Sequence, residues 1–249
     1  MKRIALFIMM LLFISATAFS QTATEVVRKA EENARGIKSL QAEMTMTIVR
    51  PKWSREVSMK MWSKGDDYAL IYITGPKRDQ GTANLKRGKE VWTWMPRVER
   101  TIKLPPSMMA QSWMGSDFTN DDLVREFSLS KDYTHILLED STIEDRKCWK
   151  IELTPKDDAA VVWGKVILFI SQEGHLQLRS EYYDEDDYLI NIMQGSEIKE
   201  MGGRTLPTKM EMIPVEEPGN KTVLTYTSML FDKAFDDSFF TLQNLKRVR

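Results

Sequence analysis

Apolar residues recur along this chain with two different periods, and each change of period marks a change of element. Over 22–36 the spacing is helical: Val26, Val27, Ala30, Ala34 and Ile37 recur at three- and four-residue intervals, and Thr22 with Glu25 forms a capping box. Gly36 supplies the stop. The period then becomes two. Leu40, Ala42, Met44, Met46 and Ile48 alternate with polar residues, and after a Pro51-Lys52 turn Val57, Met59 and Met61 do the same, so strands are predicted over 40–48 and 53–63. The stretch 68–74 is apolar on both faces, which suits a strand covered on both sides.

A loop follows at 75–81, and the Arg87-Gly88-Lys89 turn leads into strands at 90–96 and 98–104. Alternation stops at Pro105-Pro106. In 107–128 Met108, Met109, Trp113, Met114 and Phe118 cluster without a strand period, and Thr119 with Asp122 forms a second capping box that predicts a short helix over 120–127. From 134 alternation resumes, predicting strands at 136–139, 148–154, 161–171, 176–184, 188–199, 206–214 and 222–231, joined by short polar or glycine-containing connectors. No β-α-β rhythm interrupts them, so the class is mainly β with two helical segments, an antiparallel meander of about 11 to 13 strands.

A single antiparallel sheet of that size coils into a barrel or a half-barrel, and strand side chains alone do not fill it. The two amphipathic helical segments are the natural fillers, set against the concave face. If they fit loosely, an apolar cavity lies beneath a movable cover; if tightly, the same residues are ordinary core. The candidates for cavity and cover are Met44, Met46, Met59, Met61, Trp92, Trp94, Met95, Met108, Met109, Trp113, Met114 and Phe118. Methionine is unbranched and polarizable, which suits a surface that must close on varied shapes or on itself.

Composition narrows the chemistry. The 249 residues are 42% hydrophobic and 29% charged, as in ordinary globular chains, and 35 Lys+Arg against 36 Asp+Glu leave no overall positive field to hold a nucleic acid. With two histidines and one cysteine, a thiolate metal site or a Cys-pair redox centre has too few residues, so no cofactor and no metal is expected. His135 and His175 fall at the starts of predicted strands, forty residues apart, a poor basis for catalysis. The acidic runs 117–122 and 184–187 lack EF-hand spacing and suit a helix start and a hairpin turn. Arg97, Arg100 and Lys103, Lys77 with Arg78, and the C-terminal Lys246-Arg247-Val248-Arg249 are local basic groups, candidates for contact with a partner or with anionic headgroups.

The N-terminus carries an address. Lys2 and Arg3 precede an apolar run over 4–14, and Ala18 and Ser20 frame a cleavage site, so 1–20 is expected to be a removable signal peptide and 21–249 one exported domain. The run is too short to span a bilayer.

The segment 113–123, Trp-Met-Gly-Ser-Asp-Phe-Thr-Asn-Asp-Asp-Leu, preceded by Trp94-Met95-Pro96 and Arg100-Thr101-Ile102, resembles the outer-membrane lipoprotein-sorting (LolA-like) proteins, in an uncharacterised branch, and the resemblance runs to Phe235-Asp236-Asp237-Ser238-Phe239-Phe240-Thr241. It implies a periplasmic half-barrel of the LolA/LolB type with helices on its concave face. It also implies a carrier or chaperone of lipoprotein acyl chains or another lipid. The implied partners are an inner-membrane transporter of RND or ABC type and an outer-membrane receptor. Two other readings stand beside it: an accessory subunit that docks a transporter or envelope protein and carries nothing, and a hydrolase.

Overall fold

A computed structural model describes residues 21–36, 38–125, 129–159 and 161–249, with backbone alone at 123–125. The expected signal peptide and the end of the expected second helix lie outside them. Helix α1 (Ala23–Arg35) starts on the Thr22 cap, whose hydroxyl accepts from the Glu25 amide at 3.2 Å, and stops at Gly36, whose φ of 82° favours glycine.

Fourteen strands then form one antiparallel sheet among the described residues: β1 (Ser39–Arg50), β2 (Trp53–Lys64), β3 (Tyr68–Gly75), β4 (Ala83–Arg87), β5 (Glu90–Met95), β6 (Arg100–Lys103), β7 (Tyr133–Leu137), β8 (Ser141–Ile143), β9 (Arg146–Pro155), β10 (Lys165–Ser171), β11 (Gln177–Tyr183), β12 (Leu189–Met201), β13 (Arg204–Pro214) and β14 (Lys221–Phe231). Their order is β6-β5-β4-β3-β2-β1-β14-β13-β12-β11-β10-β9-β7, with β8 beside β9. The first and last strands therefore meet mid-sheet, with Met46 opposite Leu224. The meander runs outward both ways to edges at β6 and β7, which do not pair, so the curved sheet is open rather than a closed barrel.

Short helices α2 (Asn120–Arg125) and α3 (Leu129–Asp132) follow the expected break at Pro105-Pro106, and α4 (Leu242–Leu245) ends the chain. The alternation of the strands sorts their side chains onto two faces. On the concave face Met46, Ile48, Val57, Ile73, Ile151, Leu168 and their neighbours join Val26, Val27 and Ala30 of α1 in the main core. On the convex face the C-terminal segment packs Phe240, Leu245 and Val248 onto Trp62, Leu70, Tyr72 and Leu85. That second layer is why β3 is apolar on both sides: Ile71 and Ile73 face the main core while Leu70 and Tyr72 lie beneath the C-terminal segment.

Candidate functional site

The concave wall is built by strand alternation. Across β1 and β2, Met44 stands opposite Met59, Met46 opposite Val57 and Ala42 opposite Met61; across β1 and β14, Ala42 stands opposite Met229. Met193 on β12 and Met212 on β13 continue this methionine-rich surface, and Met201 and Met210 flank it half-buried. Cys148 packs on the convex side with Ile167 and Phe169.

Two pieces of chain cover the wall. The first is α1, joined to the sheet through Asn33, whose side chain donates to the Gly174 carbonyl at 3.1 Å and the Thr205 carbonyl at 3.2 Å, and through Arg204, which donates to the Glu32 carbonyl. The second is the 105–122 segment. A small loop within it, closed by the Trp113 amide donating to the Phe118 carbonyl at 2.8 Å, pushes Trp113 and Phe118 into the core at 5% and 3% exposure. Its tip turns at Met114 and Gly115, with φ of 53° and 77°.

Polar contacts hold this cover at both ends of the wall. At one end Arg50 lies 3.0 Å from Asp117 and donates to the Gly115 carbonyl at 3.0 Å. The Thr222 hydroxyl donates to Asp117 at 2.6 Å and accepts from the Asp117 amide at 2.9 Å, while Arg55 donates to the Met114 carbonyl at 3.3 Å. At the other end buried Glu31 of α1 accepts from the Ser130 hydroxyl and, at 3.3 Å, from the Ser130 amide on α3; Asp66, in the β2–β3 turn, takes Arg35 and Lys131. Burial raises the Glu31 carboxyl above its ordinary range despite the Ser130 bonds and Arg35. Asp122 is raised for the same reason. Its carboxylate is closed in by the Thr119 cap and accepts from the Trp163 indole at 3.1 Å.

Among the described residues, two mainly apolar cavities lie on the concave side. One, about 50 Å³, lies among Phe118, Leu129, Tyr133, Trp163, Tyr182 and Met193; the other, about 70 Å³, lies among Ala30, Leu206, Met193, Met210, Tyr226 and Met229. A cavity of roughly 150 Å³ takes up a benzene. Neither is therefore large enough for an acyl chain.

The structure distributes the residues singled out from sequence. Met44, Met46, Met59, Met61, Trp113 and Phe118 converge on the concave core with half-buried Met114 against them, and Met109 packs nearby on Val91 and Leu104. Met108 and Met95 are half-buried. Trp92 and Trp94 do not join them: two residues apart on β5, they share its convex face and pack with the C-terminal segment. Lys103 is likewise separated from Arg97 and Arg100, because it lies at the far end of the β5–β6 hairpin, paired with Glu90. Sequence reading missed Arg50, Asp117 and Thr222 as a set, since they join only through the β1–β14 pairing. It also missed Met193, Met212 and Met229, whose alternation was visible but whose face was not. His135 lies between the Thr24 hydroxyl, 3.1 Å from Nδ1, and the Leu129 carbonyl, 2.9 Å from Nε2; His175 Nε2 lies 3.2 Å from the Gln21 side chain.

Known proteins place this architecture. A family model described as "Uncharacterized protein" matches residues 65–247. No curated protein matches the chain. Among solved structures, a LolA superfamily protein from Nitrosomonas europaea is 26% identical with a TM-score of 0.79, over 90% of this chain and 100% of that one. A DUF1329 family protein from Desulfovibrio piger is 23% identical with a TM-score of 0.79, over 88% and 95%. An outer membrane lipoprotein-sorting protein domain from Vibrio parahaemolyticus is 20% identical with a TM-score of 0.80, over 90% and 98%. The chain belongs to the uncharacterized family whose model spans 65–247, and its fold is the LolA-like half-barrel.

Proposed function

We propose that the protein is a non-enzymatic carrier, exported to the periplasm, that shields an acyl chain or another lipid against its concave face and passes it between envelope components. The observation that carries this reading is the continuous methionine-rich wall beneath a cover whose ends are tied by polar contacts. The name of the Vibrio parahaemolyticus neighbour points the same way.

The energetics suit reversible loading. An acyl chain gains about 0.8 kcal/mol per buried methylene, or roughly 10 kcal/mol for a chain of ordinary length before the costs of ordering it. When empty, the wall is covered instead by Val26, Val27, Trp113 and Phe118, at about 2–3 kcal/mol each. The two sums are similar, so cargo replaces the cover at little net cost and can be handed on.

Organic extraction of the purified protein with mass spectrometry, together with uptake of a fluorescent fatty acid, tests the proposal. Co-purifying lipid, or saturable uptake that Trp113→Ala tightens by weakening the competing cover, supports it. An empty protein that takes up no probe overturns it. That outcome favours an accessory subunit docking an RND- or ABC-type transporter, the reading that the small cavity volumes support.

A further inference from the structure

We propose that the β1–β6 half of one end of the sheet is a docking surface for an anionic phospholipid bilayer. It extends the carrier reading by naming the surface through which the protein meets a membrane. Antiparallel pairing brings the β1–β2 turn, the β3–β4 loop and the β5–β6 turn to the same end. Exposed Lys52, Lys77, Arg78, Arg97 and Arg100 lie on these three connections and their flanks. The C-terminal segment, remote in sequence, ends at the same place. Lys246 stands 5.5 Å over the Trp94 ring, and with Arg249 it borders a groove shared with Gln80, Pro96 and Glu99.

The opposing acids are fewer. Glu56 and Glu99 are exposed, and Asp79 is already engaged by Arg55 at 2.7 Å and Arg78 at 3.2 Å. A local basic excess thus sits within a chain of net charge −1. Two large apolar side chains project from the same turns: Trp53, 52% exposed, beside the β1–β2 turn, and Val98, 56% exposed, in the β5–β6 turn. Cations surrounding projecting apolar tips, one of them an indole, fit headgroup phosphates above an acyl boundary.

Beyond β1 the sign changes. Glu216 and Glu217, both exposed, lie in the β13–β14 turn, whose Gly219 faces Pro51 of the β1–β2 turn, while exposed Asp157 and Asp158 follow Lys156, which donates to the Lys131 carbonyl near Asp66 and so lies away from this surface. An anionic surface repels the Glu216 and Glu217 carboxylates, so the β1–β6 side faces the lipid and the β13–β14 turn is tilted away from it.

Sedimentation of the purified protein with vesicles of phosphatidylcholine alone, and of phosphatidylcholine with phosphatidylglycerol, tests this at low and high salt. Binding should require phosphatidylglycerol and weaken with salt. It should fall about fivefold for each positive charge removed, in Arg97→Gln, Arg100→Gln and Lys246→Gln, and fall in Trp53→Ala. Asp157→Asn with Asp158→Asn should not weaken it. Thermal melting confirms that each variant is folded. Absence of phosphatidylglycerol-dependent binding, indifference to the basic substitutions, or capture of an acidic protein by these residues without vesicle binding would each overturn the proposal. Fatty-acid uptake in vesicle-free buffer reads the carrier function separately: vesicle binding without uptake removes that function and leaves this surface standing.

Discussion

At the scale of single residues, the cover is held by groups whose contributions can be separated. Thr222 both donates to and accepts from Asp117, so Thr222→Val removes two hydrogen bonds at nearly constant volume. Closure should weaken by about 1–3 kcal/mol, seen as faster fatty-acid uptake at a slightly lower melting temperature. Glu31 gives a pH signature. Its folded-state pKa lies above the ordinary 4.5, so the folded protein binds a proton more readily than the unfolded chain. Stability from this group therefore rises as pH falls through the folded value toward 4.5, and is lost as pH rises. Despite partial burial, Asp66 is held below 3.8 by Lys131 and Arg35, so its contribution is fully present above 3.8 and is lost only as pH falls below that value. On acidification toward pH 4.5, melting of Glu31→Gln should lack a gain that the unaltered protein shows.

At the scale of elements, the C-terminal segment is a second roof, on the convex side. Phe240 is fully buried there, with Tyr68, Phe235 and Phe239 rings within 5.2–6.1 Å. Phe240→Ala should cost about 3–5 kcal/mol, measured by denaturant unfolding, and expose the Trp62–Trp94 patch to a dye that fluoresces on apolar surfaces. This roof also explains what was legible in the sequence and what was not. Local signals worked wherever they decided the outcome: the Thr22 cap, the Gly36 stop, the period of two in β1 and β2, and the Thr119–Asp122 box all appear as read. Alternation, however, says which residues share a face and not which face is concave. Trp92 and Trp94 look the same in sequence whether they line a cavity or lie under the C-terminal segment, and only the pairing of distant strands decides it. The short strands β4 and β8 and the one-turn helix α4 were missed because they span three to five residues, too few for a period to declare itself.

At the scale of the whole molecule, the protein solves the problem of an overlarge sheet by folding its own chain onto both faces. Loading a lipid should then exchange one apolar cover for another. A fatty acid at a hundredfold excess over its Kd should stabilise the protein by about 2.7 kcal/mol, read as a rise in melting temperature. Hydrogen exchange should meanwhile accelerate in 105–122 while β1 and β14, at the centre of the sheet, stay protected. The two unpaired margins at β6 and β7 determine how such a body stretches. A ring of strands has a fixed girth, and widening it means breaking backbone bonds somewhere around the hoop. Here the seam was never sewn, so a bulky passenger can spread the wall like the jaws of a clip, with every ladder intact and side chains alone rearranged.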